Sequence, residues 1–204
     1  KMFDSQKIPD IELMSPAGSW ESLQAGINAG ADSVYFGVDQ LNMRARAAKP
    51  FTHSDISTIA ETCHQSQVKA YLALNTIVYD DELHQVEKLL YEAKSSNIDA
   101  VIATDIAVIQ LAKQLGMNIH ISTQANISNL KSIEFYAQFS EVMVLARELH
   151  LDQIHHIAQT IKAKDIRGPS GRLIRLEAFI HGALCVAIAG KCGMSLATSD
   201  HSAN

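Results

Sequence analysis

The feature that most constrains the fold of this chain is a repeated alternation between short apolar runs and longer amphipathic stretches. This alternation predicts parallel strands joined by crossover helices. The predicted strands are residues 12–15, 33–38, 70–75, 100–104, 118–122, 141–145 and 173–180. The predicted helices are residues 20–29, 54–65, 81–95, 106–115, 130–139 and 152–163. Ser19, the Ser54–Asp55 pair and the 80–82 acidic run suit helix starts, whereas Gly30, Asn97 and Gly116 suit helix ends.

These units predict an α/β fold, a parallel (β/α) TIM-like barrel over residues 11–182 that follows an N-terminal extension of residues 1–10. The barrel is expected to be incomplete, because about seven strands are one short of the eight that close this fold. Several strand segments are nearly all apolar, as expected for a sheet covered on both faces. An open doubly wound sheet is the alternative, but no G-x-G-x-x-G turn follows the first strand, which favours the barrel.

Composition limits the classes of function. A chain of 204 residues with 47% hydrophobic and 19% charged residues suffices for one sizeable core. A net charge of −5 excludes a global basic field, so contact with nucleic acid must be local. No apolar run reaches the length of a membrane span, so we expect no membrane partner. An odd number of cysteines without an apolar leader indicates a reducing, cytoplasmic location.

Polar residues gather where the predicted strands end, which is where parallel barrels place their sites. The candidate catalytic residues are Asn75, Gln124, Asn126, Arg147, Glu148 and His181. Asn42, Arg44 and Arg46 form a candidate substrate-binding loop suited to phosphate or carboxylate, although a solvated loop is nearly as well supported. Ser15, Asp39 and Asp105 fit helix capping equally well, and Arg147 with Glu148 equally fits an internal ion pair.

The segment 119–126 places His120, Ser122, Gln124 and Asn126 on one side if it continues as an extended strand. Such side chains need partners in a barrel interior. We favour a ligand-lining role for Gln124 and Asn126 and structural bonding for His120.

The cysteines divide into two kinds. Cys63 lies in an amphipathic helix and is expected to be a small buried hydrophobe. Cys185 and Cys192 follow the last predicted strand, where thiols in a reducing compartment suggest metal or cluster ligation or redox chemistry. The sequence contains neither H-E-x-x-H nor G-x-S-x-G.

Four motifs resemble those of one family. The most specific is Glu177-x-Phe179-x-x-Gly182-Ala183-Leu184-Cys185-x-x-x-x-Gly190-x-Cys192-x-Met194-Ser195. Three others occur in order before it, at residues 12–18, 122–126 and 146–149. The pattern resembles the collagenase-like peptidase family U32 and covers essentially residues 12–204.

The resemblance implies a barrel enzyme with a four-iron four-sulfur cluster. It implies oxygen-independent hydroxylation of RNA bases, of ribosomal RNA in preference to transfer RNA, with prephenate as a co-substrate. Cys185 and Cys192 match the first two cluster cysteines, so residues 183–204 would begin the cysteine-rich motif. The family pattern continues into further cysteines, so we expect residues 1–204 to be inactive alone. The alternatives are a protease, as the family label says, and a non-catalytic RNA-binding or assembly module. The oligomeric state stays open.

Overall fold

The computed structural model of the protein describes residues 11–38 and 51–182. The strands in these ranges are β1 (Met14–Ala17), β2 (Ser33–Phe36), β3 (Lys69–Leu74), β4 (Ala100–Ala103), β5 (Ile119–Ile121), β6 (Val142–Val144) and β7 (Arg175–Glu177). The helices are α1 (Trp20–Asn28), α2 (Ile56–Gln65), α3 (Leu83–Ser95), α4 (Ile106–Gln114), α5 (Leu130–Tyr136) and α6 (Leu151–Ala163). Two short 3₁₀ turns, His53–Asp55 and Thr123–Ala125, complete the described elements.

The strands form one parallel sheet whose spatial order, β1 to β7, is the order of the sequence. A doubly wound sheet reverses its strand order at a switch point, so this order selects the barrel architecture. The prediction of an incomplete TIM-like barrel is therefore confirmed.

Contacts between alternate strands show that the sheet is curled. The ring of Tyr71 on β3 lies 4.7 Å from the ring of His120 on β5. His120 Nδ1 in turn lies 3.3 Å from Glu177 Oε2 on β7. Side chains on alternate strands meet across the intervening strand when the sheet wraps around a lumen, as in the layered interior of a barrel.

Two apolar regions cover the two faces of the sheet. The larger lies between the sheet and the helices and includes Leu72, Ile109 and Ile121. The smaller lies in the lumen and contains Tyr71, Ala100 and Ile102, with Met14 and Tyr35 packed against them. Along each strand, every second side chain therefore faces the lumen. The same alternation determines which polar residues at the strand ends face the lumen.

The helix ends follow local chemistry. Ser19 caps α1 in a capping box with Ser22, as predicted. Gly30, Asn97 and Gly116 have φ angles of 84°, 58° and 65°, the left-handed conformation typical of helix ends.

Two predicted helix starts were each wrong by two residues. Helix α2 begins at Ile56, after a 3₁₀ turn at whose start Thr52 N–H donates to Asp55. Helix α3 begins at Leu83, with Glu82 accepting from the N–H of Tyr79. In both cases an acidic side chain bonds a preceding N–H and holds a turn before the helix proper.

The strand bounds also differ at the edges of the sheet. Residues 173–180 were predicted as strand, but only Arg175–Glu177 pair with β6. Arg167 and Leu173 instead form an isolated antiparallel bridge, which turns the chain before β7. Within the two described ranges, no helix is both long and apolar enough to cross a bilayer.

Candidate functional site

The register of the sheet places five residues side by side at the carboxyl ends of the strands. Leu74, Ala103, Ile121 and Met143 are consecutive partners across β3 to β6, and Val144 pairs with Glu177 on β7. The next residue on each strand therefore belongs to one row, which we name the mouth row: Asn75, Thr104, Ser122, Val144 and Glu177. In-register residues of parallel strands face the same way, and the alternation above directs this row to the lumen.

Gln124 lies above the middle of the mouth row. It is 8% exposed, and its Oε1 accepts hydrogen bonds from Ser122 Oγ at 3.0 Å and Thr104 Oγ1 at 3.3 Å. The two hydroxyls fix the orientation of the amide, which leaves its Nε2 donors without a bond to the described residues. Gln124 is therefore a positioned donor at the mouth.

Asn75 ends β3 in the mouth row. Its Oδ1 is buried and has no hydrogen-bond partner within residues 11–38 and 51–182. A buried carbonyl oxygen without a donor is costly, so such groups are rare in native proteins. The unbonded oxygen supports the prediction of Asn75 as a site residue, because an N–H group of a ligand would satisfy it.

Buried His120 and partly exposed Glu177 lie close together at the other side of the mouth. His120 is 5% exposed, and its Nδ1 lies within ion-pair distance of Glu177 Oε2 but makes no hydrogen bond with the described residues. The ring of Tyr71 packs against the imidazole in a tilted arrangement, with ring centroids 4.7 Å apart. The expectation of structural bonding for His120 therefore stays a prediction, because its Nδ1 has no hydrogen-bond partner in the described ranges.

Arg147, Glu148 and His181 also follow strand ends but are exposed. The guanidinium of Arg147 lies 5.9 Å from the ring of Phe179, which belongs to the loop after β7. A cation over an aromatic face is a weak attraction at an exposed position, worth about 0.5–1 kcal/mol. The contact joins the ends of β6 and β7 and holds a cation at the rim of the mouth.

The prediction that residues 119–126 form one extended run was wrong beyond Ser122. Ser122 Oγ accepts from Gln124 N–H and starts a 3₁₀ turn, Thr123–Ala125. Asn126 then adopts a left-handed conformation and is exposed. The physical reason is competition, because a serine side chain that bonds the backbone two residues on favours a turn over a strand. Gln124 still reaches the lumen, but through the turn.

Asp105 caps a helix, which was one of the two roles predicted for it. Its Oδ1 accepts from Ala107 N–H at 2.8 Å at the start of α4, and its Oδ2 accepts from Val78 N–H at 3.3 Å. Both oxygens are used by the backbone, so we exclude Asp105 from the candidate site.

Several predicted residues lie outside the described ranges. These are Asp39, the loop residues Asn42, Arg44 and Arg46, and the candidate ligands Cys185 and Cys192. Their assignments stay predictions. Cys63 is described, and it is fully buried and unpaired, as expected for a small core hydrophobe.

The described residues offer no complete metal site. Within residues 11–38 and 51–182, no group of three or more His, Cys, Asp or Glu side chains could hold a metal ion. Burial, and secondarily the charge of Asp99, raises the pKa of the Cys63 thiol to about 11, which makes it a poor ligand. The assignment of Cys185 and Cys192 as cluster ligands stays a prediction.

Sequence reasoning missed two members of the site, Thr104 and Glu177. Thr104 was assigned to a strand end without a role, although its position after an apolar run is the same signal that selected Asn75. Glu177 was noted only as part of a motif. Its proximity to His120 depends on the curl of the sheet, for which the sequence carries no local signal.

The fold and the site together define a class, a parallel β/α barrel with a polar site at the carboxyl ends of its strands. The family model described as peptidase family U32 matches residues 18–204. The chain therefore belongs to peptidase family U32.

Relatives in this family carry different functional names. The chain is 48% identical over 197 residues to a collagenase of Porphyromonas gingivalis, covering 97% of this chain and 48% of that protein. It is 35% identical over 196 residues to the 23S rRNA 5-hydroxycytidine synthase of Escherichia coli, covering 95% and 28%. It is 34% identical over 188 residues to a tRNA hydroxylation protein P of Helicobacter pylori, covering 91% and 42%. The chain thus spans about half or less of these relatives.

The comparison with solved structures supports the fold alone. The U32 peptidase Mk0906 matches with a TM-score of 0.65 at 12% sequence identity, covering 87% of this chain and 71% of that one. A tryptophan synthase alpha subunit of Legionella pneumophila matches with a TM-score of 0.51 at 16% identity, covering 82% and 71%.

Proposed function

We propose that this chain is the barrel part of an enzyme that hydroxylates a base of structured RNA, ribosomal RNA first and transfer RNA as the alternative. The observation that carries the proposal is the mouth row with Gln124 above it. Neutral amides and hydroxyls in a buried lumen, including the unbonded Asn75 Oδ1, are the groups that recognise the edge of a nucleobase. The named relatives that hydroxylate ribosomal or transfer RNA support the same interpretation.

The position of the row determines the form of RNA that can react. The row lies inside the curled sheet at the ends of its strands, so a base within a helical stack does not reach it. The target base must be unpaired or turned out of its stack. The net charge of −5 agrees with local contact at the mouth rather than a broad basic surface.

Cys185 and Cys192 are the residues that would hold an iron–sulfur cluster. Their thiols are of the right chemical kind, but two thiolates are half of the roughly four that such a cluster needs. The cluster would supply electron transfer, and prephenate is the co-substrate in this proposal. The residues of the mouth bind and orient the base, and no chemical step is derived through the cluster.

A peptidase is the second candidate, because the relative with 48% identity is named a collagenase. Peptide hydrolysis needs an activated nucleophile or a metal-bound water. Cys63 is buried with a raised pKa, and the described part of the chain holds no group of metal ligands. A non-catalytic RNA-binding or assembly module is disfavoured by the acidic composition.

Two assays on the same purified, anaerobically prepared full-length protein separate the candidates. One incubates it with RNA from a strain lacking the gene and follows base hydroxylation by nucleoside mass spectrometry. The other follows cleavage of a collagen-derived peptide. Our proposal expects new hydroxylated nucleoside and no cleavage, whereas cleavage without hydroxylation would replace it with the peptidase.

A further inference from the structure

Neither the strand-end pattern nor the names of the relatives assigns a role to the pair formed by His120 and Glu177. His120 lies on β5, below Ser122, and Glu177 ends β7 within the mouth row. Their side chains are 7% and 24% exposed, and Nδ1 lies 3.3 Å from Oε2. The buried imidazole and the partly exposed carboxylate thus lie at the level of the proposed base-binding residues.

The pair is incompletely bonded. His120 Nδ1 makes no hydrogen bond within the described ranges, although it is near the carboxylate. A buried polar atom without a hydrogen bond is costly, so this arrangement is unusual for a purely structural contact. A carboxylate has about four acceptor positions, and the described residues give the Glu177 side chain only its contact with His120. The carboxylate therefore has acceptor capacity that a ligand can use.

The fold places the Glu177 carboxylate beside the other residues of the proposed site. Sheet order separates β3 from β7 by three strands, so Asn75 and Glu177 lie on facing walls of the curled sheet. Thr104, Ser122 and Gln124 lie between them. A flat ligand bound between these walls would have Asn75 Oδ1 on one side and the Glu177 carboxylate on the other.

We propose that Glu177, positioned by His120, accepts a hydrogen bond from an N–H group of an uncharged nucleobase at the mouth. This inference deepens the proposed function and rests on it. The carboxylate requires a donor, and it repels an anionic co-substrate, which is therefore excluded from this wall. Gln124 Nε2 supplies a donor to a ring carbonyl, because its Oε1 is already bonded by two hydroxyls.

His120 acts through Glu177. Tyr71 packs on the imidazole with ring centroids 4.7 Å apart, which fixes the ring against the lumen wall. The fixed ring limits the rotamers of the carboxylate beside it. His120 is accordingly a positioning residue, and Glu177 is the residue that touches the base.

The test compares full-length variants by their binding of an RNA hairpin with an unpaired pyrimidine loop, measured by fluorescence anisotropy without co-substrate. The variants are Glu177→Met, which is nearly isosteric, His120→Phe, which keeps an aromatic ring on Tyr71, and the double variant. Glu87→Gln on α3 is the control, because Glu87 is exposed on the outer surface. Circular dichroism melting reports on folding in each case.

We expect Glu177→Met to weaken binding about tenfold and His120→Phe severalfold, as for loss and misplacement of one hydrogen bond to a charged group. The double variant should bind no more weakly than Glu177→Met alone, because His120 acts through Glu177. Hairpin binding by folded Glu177→Met within twofold of wild type, or strictly additive effects, would overturn the inference. If the wild-type protein neither binds nor hydroxylates RNA, the proposed function is wrong, and this inference is wrong as well.

Discussion

Tyr71 Oη donates a hydrogen bond to Glu12 Oε1 and so ties β3 to the segment that leads into β1. Lys69 Nζ also bonds Glu12, at 2.5 Å from Oε2. Burial acts against the charged form, but the hydrogen bonds from Lys69 and Tyr71 outweigh it and lower the pKa of Glu12 to about 2. Burial and the neighbouring Glu12 raise the pKa of Tyr71. Glu12 precedes β1 and Lys69 begins β3, so the cluster lies toward the amino ends of the strands, away from the mouth.

The first prediction concerns acid stability. The pKa of Glu12 is lowered in the folded protein from 4.5 to about 2, so its stabilisation is present above pH 4.5 and is lost as the pH falls toward 2. Glu12→Gln should therefore show a weaker loss of stability over this range than wild type. Urea unfolding at pH 6, 5, 4 and 3, followed by circular dichroism, measures the difference. Glu87→Gln should keep the wild-type profile, and a wild-type profile for Glu12→Gln would contradict the assignment.

The second prediction concerns the core between sheet and helices. Ile121 on β5 is fully buried in that core. Replacing Ile121 with Ala should lower the free energy of unfolding by about 2–5 kcal/mol, because it leaves a cavity. Ile77 is 62% exposed, so Ile77→Ala should change it by less than about 0.5 kcal/mol. Equal effects at the two sites would show that β5 is not packed as described.

Much of this architecture follows from sequence pattern. The apolar runs that became β3 and β4 are nearly continuous, and the end of the first run places Asn75 directly after β3. The pattern failed at residues 123–125, where the Ser122 side chain starts a turn that strand parity does not anticipate. It also gave no signal for His120 with Glu177, since their contact depends on how far the whole sheet curls.

The third prediction concerns Gln124. Gln124→Leu removes the positioned donor from the mouth while keeping a similar volume, so RNA hydroxylation should fall at least about tenfold as a buried hydrogen bond to substrate is lost. Gln110 is exposed on α4, and Gln110→Leu is the matched control. The rate of hydroxylated nucleoside formation per folded protein measures both. Normal activity in Gln124→Leu would remove the mouth row from the proposed site.

The fourth prediction separates the cysteines. Cys185→Ser and Cys192→Ser should each lower the iron and sulfide bound by the full-length protein after anaerobic reconstitution, because each removes a thiolate ligand. Cys63→Ser should leave both contents unchanged, since Cys63 lies in the core between sheet and helices. Retention of full iron content in the first two variants, with the fold intact by circular dichroism, would refute the assignment of these ligands.

The central claim, that the protein hydroxylates an RNA base, is tested most directly by the nucleosides of cellular RNA. Ribosomal and transfer RNA from a deletion strain, and from that strain carrying the wild-type gene, are digested and compared by mass spectrometry. Our account predicts one nucleoside with an added oxygen atom that disappears on deletion and returns with the gene. Identical nucleoside profiles in the two strains would contradict it.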